Sequence, residues 1–98
     1  MTDFEKKFND LRHQWKRDTE FHSSMHIIEG HPAYQEIIAM GPEVVPLMLK
    51  ELQYKEEFWF GALVKLTGEN PVPRSHAGMI RIMCDDWVKW GKEKGLIK

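Results

Sequence analysis

Gly41-Pro-Glu-Val-Val-Pro-Leu-Met-Leu-Lys-Glu-Leu52, then a polar break at Tyr54–Glu57, then Phe58-Trp-Phe-Gly-Ala-Leu-Val-Lys-Leu66 decides the fold class. Val44, Val45, Leu47, Met48, Leu49 and Leu52 are apolar on nearly every side of a 3.6-residue repeat, so the first segment reads as a helix buried almost all round. Pro42 restarts a helix after Gly41, and Pro46 falls in the first turn, where a missing N–H costs least. Phe58, Trp59, Ala62, Leu63 and Leu66 mark one face of a second helix, ended by Gly68. Two short amphipathic helices joined by a polar turn resemble one HEAT-type hairpin, in which each helix buries a face against its neighbour. A single unit is present, so no solenoid is expected.

The flanks extend the same pattern. On the N-terminal side Phe4, Phe8, Leu11 and Trp15 step by four, three and four, which predicts a helix over 3–22. Thr2 followed by Glu5 is a capping box that starts it. Ser23 and Ser24 interrupt it, and Met25, Ile27 and Ile28 form a short apolar run up to Gly30. His31-Pro32 then opens a helix through Tyr34, Ile37, Ile38 and Met40, since proline suits the first helical position. On the C-terminal side Met79, Ile80, Met83, Trp87 and Trp90 predict a last helix over 76–94 with Ser75 as its cap and Gly95 at its end. No segment alternates apolar and polar residues over strand length. The expectation is an all-α, compact single domain over 1–98 with about five helices: a central HEAT-like hairpin between longer N- and C-terminal helices.

The composition fits that class and narrows the functions. The chain has 98 residues, 42% hydrophobic and 30% charged, within the range of globular domains. Fourteen Lys plus Arg against 15 Asp plus Glu give a net charge of -1, without the basic excess that nucleic-acid binding draws on. Lone Cys84 can form no internal disulfide, the first residues carry no apolar signal core, and no stretch nears the roughly 18 apolar residues of a membrane span. A cytoplasmic protein with no membrane association is expected.

The most specified stretch is Thr67-Gly-Glu-Asn-Pro-Val-Pro-Arg-Ser-His76. Its two prolines forbid regular helix, and it presents a carboxylate, an amide, a guanidinium, a hydroxyl and an imidazole. Such loops are common binding sites. The alternative is a connector in which Asn70 bonds the local backbone and Ser75 caps a helix. Phe58, Trp59 and Phe60 cannot all face inward, because successive helical positions turn by about 100°. One of the three should face outward or contact another element. Trp59, Glu69, Asn70, Arg74 and His76 are the expected contacts with a partner protein.

Other chemistry finds less support. His22 and His26 have a metal-compatible spacing, but the serines between them break the helix and no further ligand completes a pattern. Ser75, His76 and Asp85 or Asp86 supply triad residue types without triad geometry, and neighbouring aspartates diverge on a helix. Cys84 reads as a small buried hydrophobe. No phosphate-binding glycine loop occurs. Trp87 and Trp90 with the following lysines could track a nucleic-acid strand, or could be core tryptophans beside cations that favour a helix C-terminus. No cofactor or metal is expected. An interaction or regulatory module leads, with an enzyme or small-ligand binder using the Glu69–His76 loop as the alternative and nucleic-acid binding as the weaker one.

His31-Pro32-Ala33-Tyr34, Ile37-Ile38, Gly41 and Pro46, with Ala62-Leu63, Leu66-Thr67-Gly68-Glu69-Asn70-Pro71-Val72-Pro73, Gly78 and Trp87…Trp90-Gly91, also resemble a family of small, uncharacterised prokaryotic all-helical proteins. The resemblance runs from about Leu11 to Gly95. It implies a bacterial or mobile-element origin and a shared helical fold, and carries no activity, substrate or cofactor.

Overall fold

A computed structural model describes residues 2–98. The protein is all-α, with no strand among the described residues. Six α-helices occur: α1 (Asp3–Thr19), α2 (Met25–Gly30), α3 (Pro32–Ala39), α4 (Val45–Leu52), α5 (Phe60–Thr67) and α6 (Ile80–Glu93), with 3-10 turns at Pro42–Val44 and Arg74–His76. Among the described residues no helix is long and apolar enough to cross a membrane. The chain divides into two compact units, one ending at Val44 and one covering Val45–Lys98.

In the first unit the Thr2 capping box forms: the hydroxyl accepts from the Glu5 N–H at 3.1 Å and the Glu5 carboxylate accepts from the Thr2 N–H at 3.3 Å. Helix α1 stops at Thr19, short of the expected residue 22. The Thr19 hydroxyl bonds back to the Trp15 carbonyl at 2.7 Å, and Phe21, beyond the buried face, is 94% exposed, so nothing past Thr19 is held by packing. The apolar run after Ser24 is itself a short helix, α2. The carbonyl of Ile28 would bond the N–H of residue 32, which Pro32 lacks; the indole N–H of Trp15 donates to it instead at 2.8 Å. Trp15 also meets Tyr34 at 5.1 Å between ring centres, and both are buried with Phe8 and Ile37. His31 caps α3 as the sequence implies, its Nδ1 accepting from the Ala33 N–H at 3.0 Å. That places the proton on Nε2, which donates to Asp18 at 2.9 Å.

The restart after Gly41 is a 3-10 turn and becomes α-helical only at Val45. Pro46 offers no N–H to the Pro42 carbonyl, so the first turn tightens to the Val44 N–H to Gly41 bond at 3.2 Å.

In the second unit α4 packs on α5 and more extensively on α6. Met48, Leu49, Leu52, Ala62, Leu63, Cys84 and Trp87 are fully buried. The α4–α6 approach requires Gly91: a Cβ there would lie 2.7 Å from Leu49 Cδ1 and 3.2 Å from Ile97 Cγ1. Arg81 joins the same pair of helices, donating to the Leu52 carbonyl at 3.3 Å and to Asp85 at 2.8 Å. The Asp85 hydrogen bond holds the Arg81 guanidinium above its ordinary pKa. Glu57, in the stretch read as a polar break, is buried.

Helix α6 begins at Ile80, four residues later than expected. Gly78 has φ +82°, a conformation that ends any helix through it, and Arg74–His76 forms a separate turn. Ser75 therefore does not cap α6, and Met79 is 48% exposed rather than part of the buried stripe.

Candidate functional site

The loop from Gly68 to Met79 is built by local bonds and then fastened to α6 at both ends. The Thr67 hydroxyl donates to the Leu63 carbonyl at 2.7 Å and accepts from the Glu69 N–H at 3.1 Å, turning the chain out of α5. Asn70 Oδ1 accepts from the Val72 N–H at 3.1 Å, spanning Pro71. His76 Nδ1 meets Asp86 Oδ2 at 2.7 Å, and Glu69 Oε1 accepts from the Trp90 indole N–H at 3.3 Å with Lys94 Nζ at 3.8 Å. Asp85 is meanwhile turned to Arg81, so the two adjacent aspartates serve different partners, as their helical spacing implies.

Between these fastenings the loop, α5 and α6 line an open pocket of about 470 Å3. Phe60 and Val64 form the α5 wall, Val72 and Pro73 the loop wall, and Met83 and Trp87 the α6 wall. Asn70, Arg74 and Trp87 are its polar side chains. Arg74 makes no ion pair or side-chain hydrogen bond among the described residues. Asn70 uses its oxygen on Val72, which leaves its exposed amide N–H groups without a protein acceptor among the described residues. The Trp87 indole nitrogen is shielded from solvent and also lacks an acceptor among the described residues.

The expected partner contacts thus separate. Trp59 is 0% exposed and its indole N–H donates to Glu51 at 3.0 Å, so it presents no face to a partner; this corrects the expectation of an outward-facing Trp59. Phe58 and Phe60, its neighbours, are half-buried. Glu69 and His76 act as fastenings of the loop. Asn70 and Arg74 stand at the cavity with unused donors. Of the connector reading, the Asn70 bond to the Val72 N–H forms and the Ser75 cap does not.

Sequence reasoning missed Val64, Val72 and Met83 as pocket walls. The available signal was Val72, an apolar residue held between two prolines inside a polar loop. Trp87, assigned to the core, is both core and wall.

The other chemistries acquire little. The His76–Asp86 pair has the orientation of a triad base, but no nucleophile bonds His76 Nε2 among the described residues. Burial pushes the Cys84 thiol up, against a smaller lowering by the Glu57 backbone N–H, so it stays protonated and unreactive. No group of three His, Cys, Asp or Glu side chains that could hold a metal occurs among the described residues. Trp87 and Trp90 are buried, packed edge to face at 5.3 Å, and offer no stacking surface to a nucleic-acid base.

Fold and site together are those of an all-α protein with an open, largely apolar pocket beside Asn70 and Arg74. Comparison of the chain with models of protein families, with curated proteins and with solved structures returns no match.

Proposed function

We propose that the chain is a binding protein whose second unit holds a small apolar ligand in the cavity beneath the Glu69–His76 loop. The observation that carries this reading is the cavity: its volume of about 470 Å3 lies within the range of small-ligand sites, and its walls are apolar with few polar groups. Its lining offers no carboxylate, imidazole, thiol or hydroxyl side chain, so binding rather than catalysis suits it. The same feature favours a ligand site over the partner surface expected from Trp59. A single buried thiol is compatible with a reducing cytoplasm, where we place the protein.

The test is a screen of small neutral and charged aromatic compounds by methyl NMR. Saturable shifts concentrated on Val64, Val72 and Met83 are expected. Shifts absent from those three methyl sets would reject the reading.

A second reading has its own observation. Phe21, Met25 and Ile27, close together in sequence, are 94%, 38% and 44% exposed, and exposed apolar side chains of this kind mark protein contacts. On this reading the chain is the protein-interaction module that the sequence suggests, with its contact in the first unit. Loss of a captured partner on Phe21→Ser, with Arg74→Ala retaining it, is the expected result.

A further inference from the structure

We infer that the ligand of the second unit's cavity is a small monocarboxylate with an aryl or branched-alkyl body. This rests on the reading of that cavity as a ligand site and adds the chemistry of what fills it.

The polar side chains around the cavity are Asn70, Arg74 and Trp87. Asn70 and Arg74 are exposed, and their N–H donors meet no protein acceptor among the described residues; the Trp87 ring is part of the wall, but its indole nitrogen is shielded from solvent and turns no donor to the pocket. Asn70 is the instructive member. Its one acceptor atom is consumed by the Val72 N–H, so the amide cannot flip without leaving that backbone donor unbonded. The Asn70 side chain is thereby fixed to present donors beside the Arg74 guanidinium. A ligand group that meets both side chains brings acceptors, as a carboxylate does.

Charge sets the rest. Arg74 is the single charged group of the lining. One guanidinium matches one carboxylate, through the parallel pair of N–H···O bonds that its planar fork allows. A phosphate dianion would carry a second charge that no other lining side chain neutralises. The acidic side chains of the loop and α6 that stand nearest in sequence are already engaged: Glu69 with Trp90 and Lys94, Asp86 with His76 and Asp85 with Arg81. They leave Arg74 uncontested. The body of the ligand is set by Phe60, Val64, Val72 and Met83, which bury apolar surface but form no bond. Val64 is 39% exposed, so covering it adds to the drive for an apolar body.

The fastenings keep this arrangement in place. His76–Asp86 and Glu69–Trp90 hold the loop on either side of Arg74, so little ordering remains to be done when a ligand enters.

Calorimetric titration of the full chain with 3-phenylpropanoate, its primary amide 3-phenylpropanamide, and phenyl phosphate at constant ionic strength tests the inference. The acid should bind at least tenfold more tightly than the amide. Arg74→Ala should abolish that preference, and Arg74→Lys, which keeps the charge without the fork, should retain part of it. Arg74 is exposed and unpaired, so neither change disturbs the fold. Equal binding of acid and amide, with shifts at Val64, Val72 and Met83, would overturn the carboxylate inference and leave the cavity reading intact. Tighter binding of phenyl phosphate would also overturn it. Acid binding that Arg74→Ala leaves unchanged, or no binding by any probe, would overturn both.

Discussion

Each unit of the protein fastens a connecting segment with a histidine–aspartate pair, and the two pairs leave different things behind. In the first unit His31 spends both nitrogens, one on the Ala33 N–H and one on Asp18 at 2.9 Å. The tryptophan beside it is equally committed, with the Trp15 indole N–H on the carbonyl that Pro32 orphans. In the second unit His76 holds Asp86 at 2.7 Å, but among the described residues the exposed Asn70 amide and Arg74 guanidinium and the buried Trp87 indole near that anchor have no protein acceptor. Buried donors are normally satisfied, and leaving one unmet costs about 1–3 kcal/mol. The first region reads as structure that has used its polar groups on itself. The second has kept some in reserve beside a cavity, which is where a ligand is expected.

The comparison breaks most readily at the tryptophans. Trp15→Phe removes the indole donor to the buried Ile28 carbonyl and should cost roughly 1–3 kcal/mol beyond the loss of ring volume. Trp87→Phe removes a donor that has no acceptor, and should cost only the packing loss. Chemical denaturation of the two variants measures the difference; equal losses would erase the distinction between the units.

Gly91→Ala probes the frame that carries the cavity. Its methyl would fall 2.7 Å from the end of the Leu49 side chain, which can shift, so about 1 kcal/mol is expected, the low end of the 1–3 range for overpacking. In a domain of this size that lowers the melting temperature by about 4–8 °C.

The histidines give a smaller and more local contrast. His31→Ala should remove a helix cap worth about 1 kcal/mol and lower global stability. His76→Ala should cost less globally, roughly 0.5–1.5 kcal/mol for the lost bond, and should speed amide exchange at Val72 and Ala77 as the loop loosens. Uniform exchange across the chain in the second variant would contradict the fastening role.

The smallest effect concerns Cys84. Its folded thiol titrates above the ordinary value because it is buried, so its contribution is fully present below the unfolded value and is lost as pH rises toward the folded one. Stability should therefore decline gently above neutral-to-alkaline pH, and Cys84→Ala should flatten that decline. Native alkylation should likewise be slow.

Elements with strong local signals were legible in the sequence: the Thr2–Glu5 box, the His31-Pro32 start, the apolar α4 and the Gly68 stop. Trp59 faces inward with Ala62 and Leu63, as the repeat of that face implies, and Glu51, eight residues away, accepts its N–H, so it was misplaced among the partner contacts. The other errors lie where tertiary bonds override periodicity. Helix α6 starts late because Gly78 takes a positive φ and His76 is drawn to Asp86. The loop was recognisable as a site by its chemistry, but which of its groups were free depended on the contacts of Glu69 and His76 with α6, and those are invisible in one dimension.

The most direct test of the reserve-of-donors account is the indole N–H resonance of Trp87 during titration with 3-phenylpropanoate. The account predicts a saturable shift of that signal, absent in Arg74→Ala, while the Trp15 indole signal stays fixed. A Trp87 signal that does not move, or that moves equally without Arg74, would contradict it.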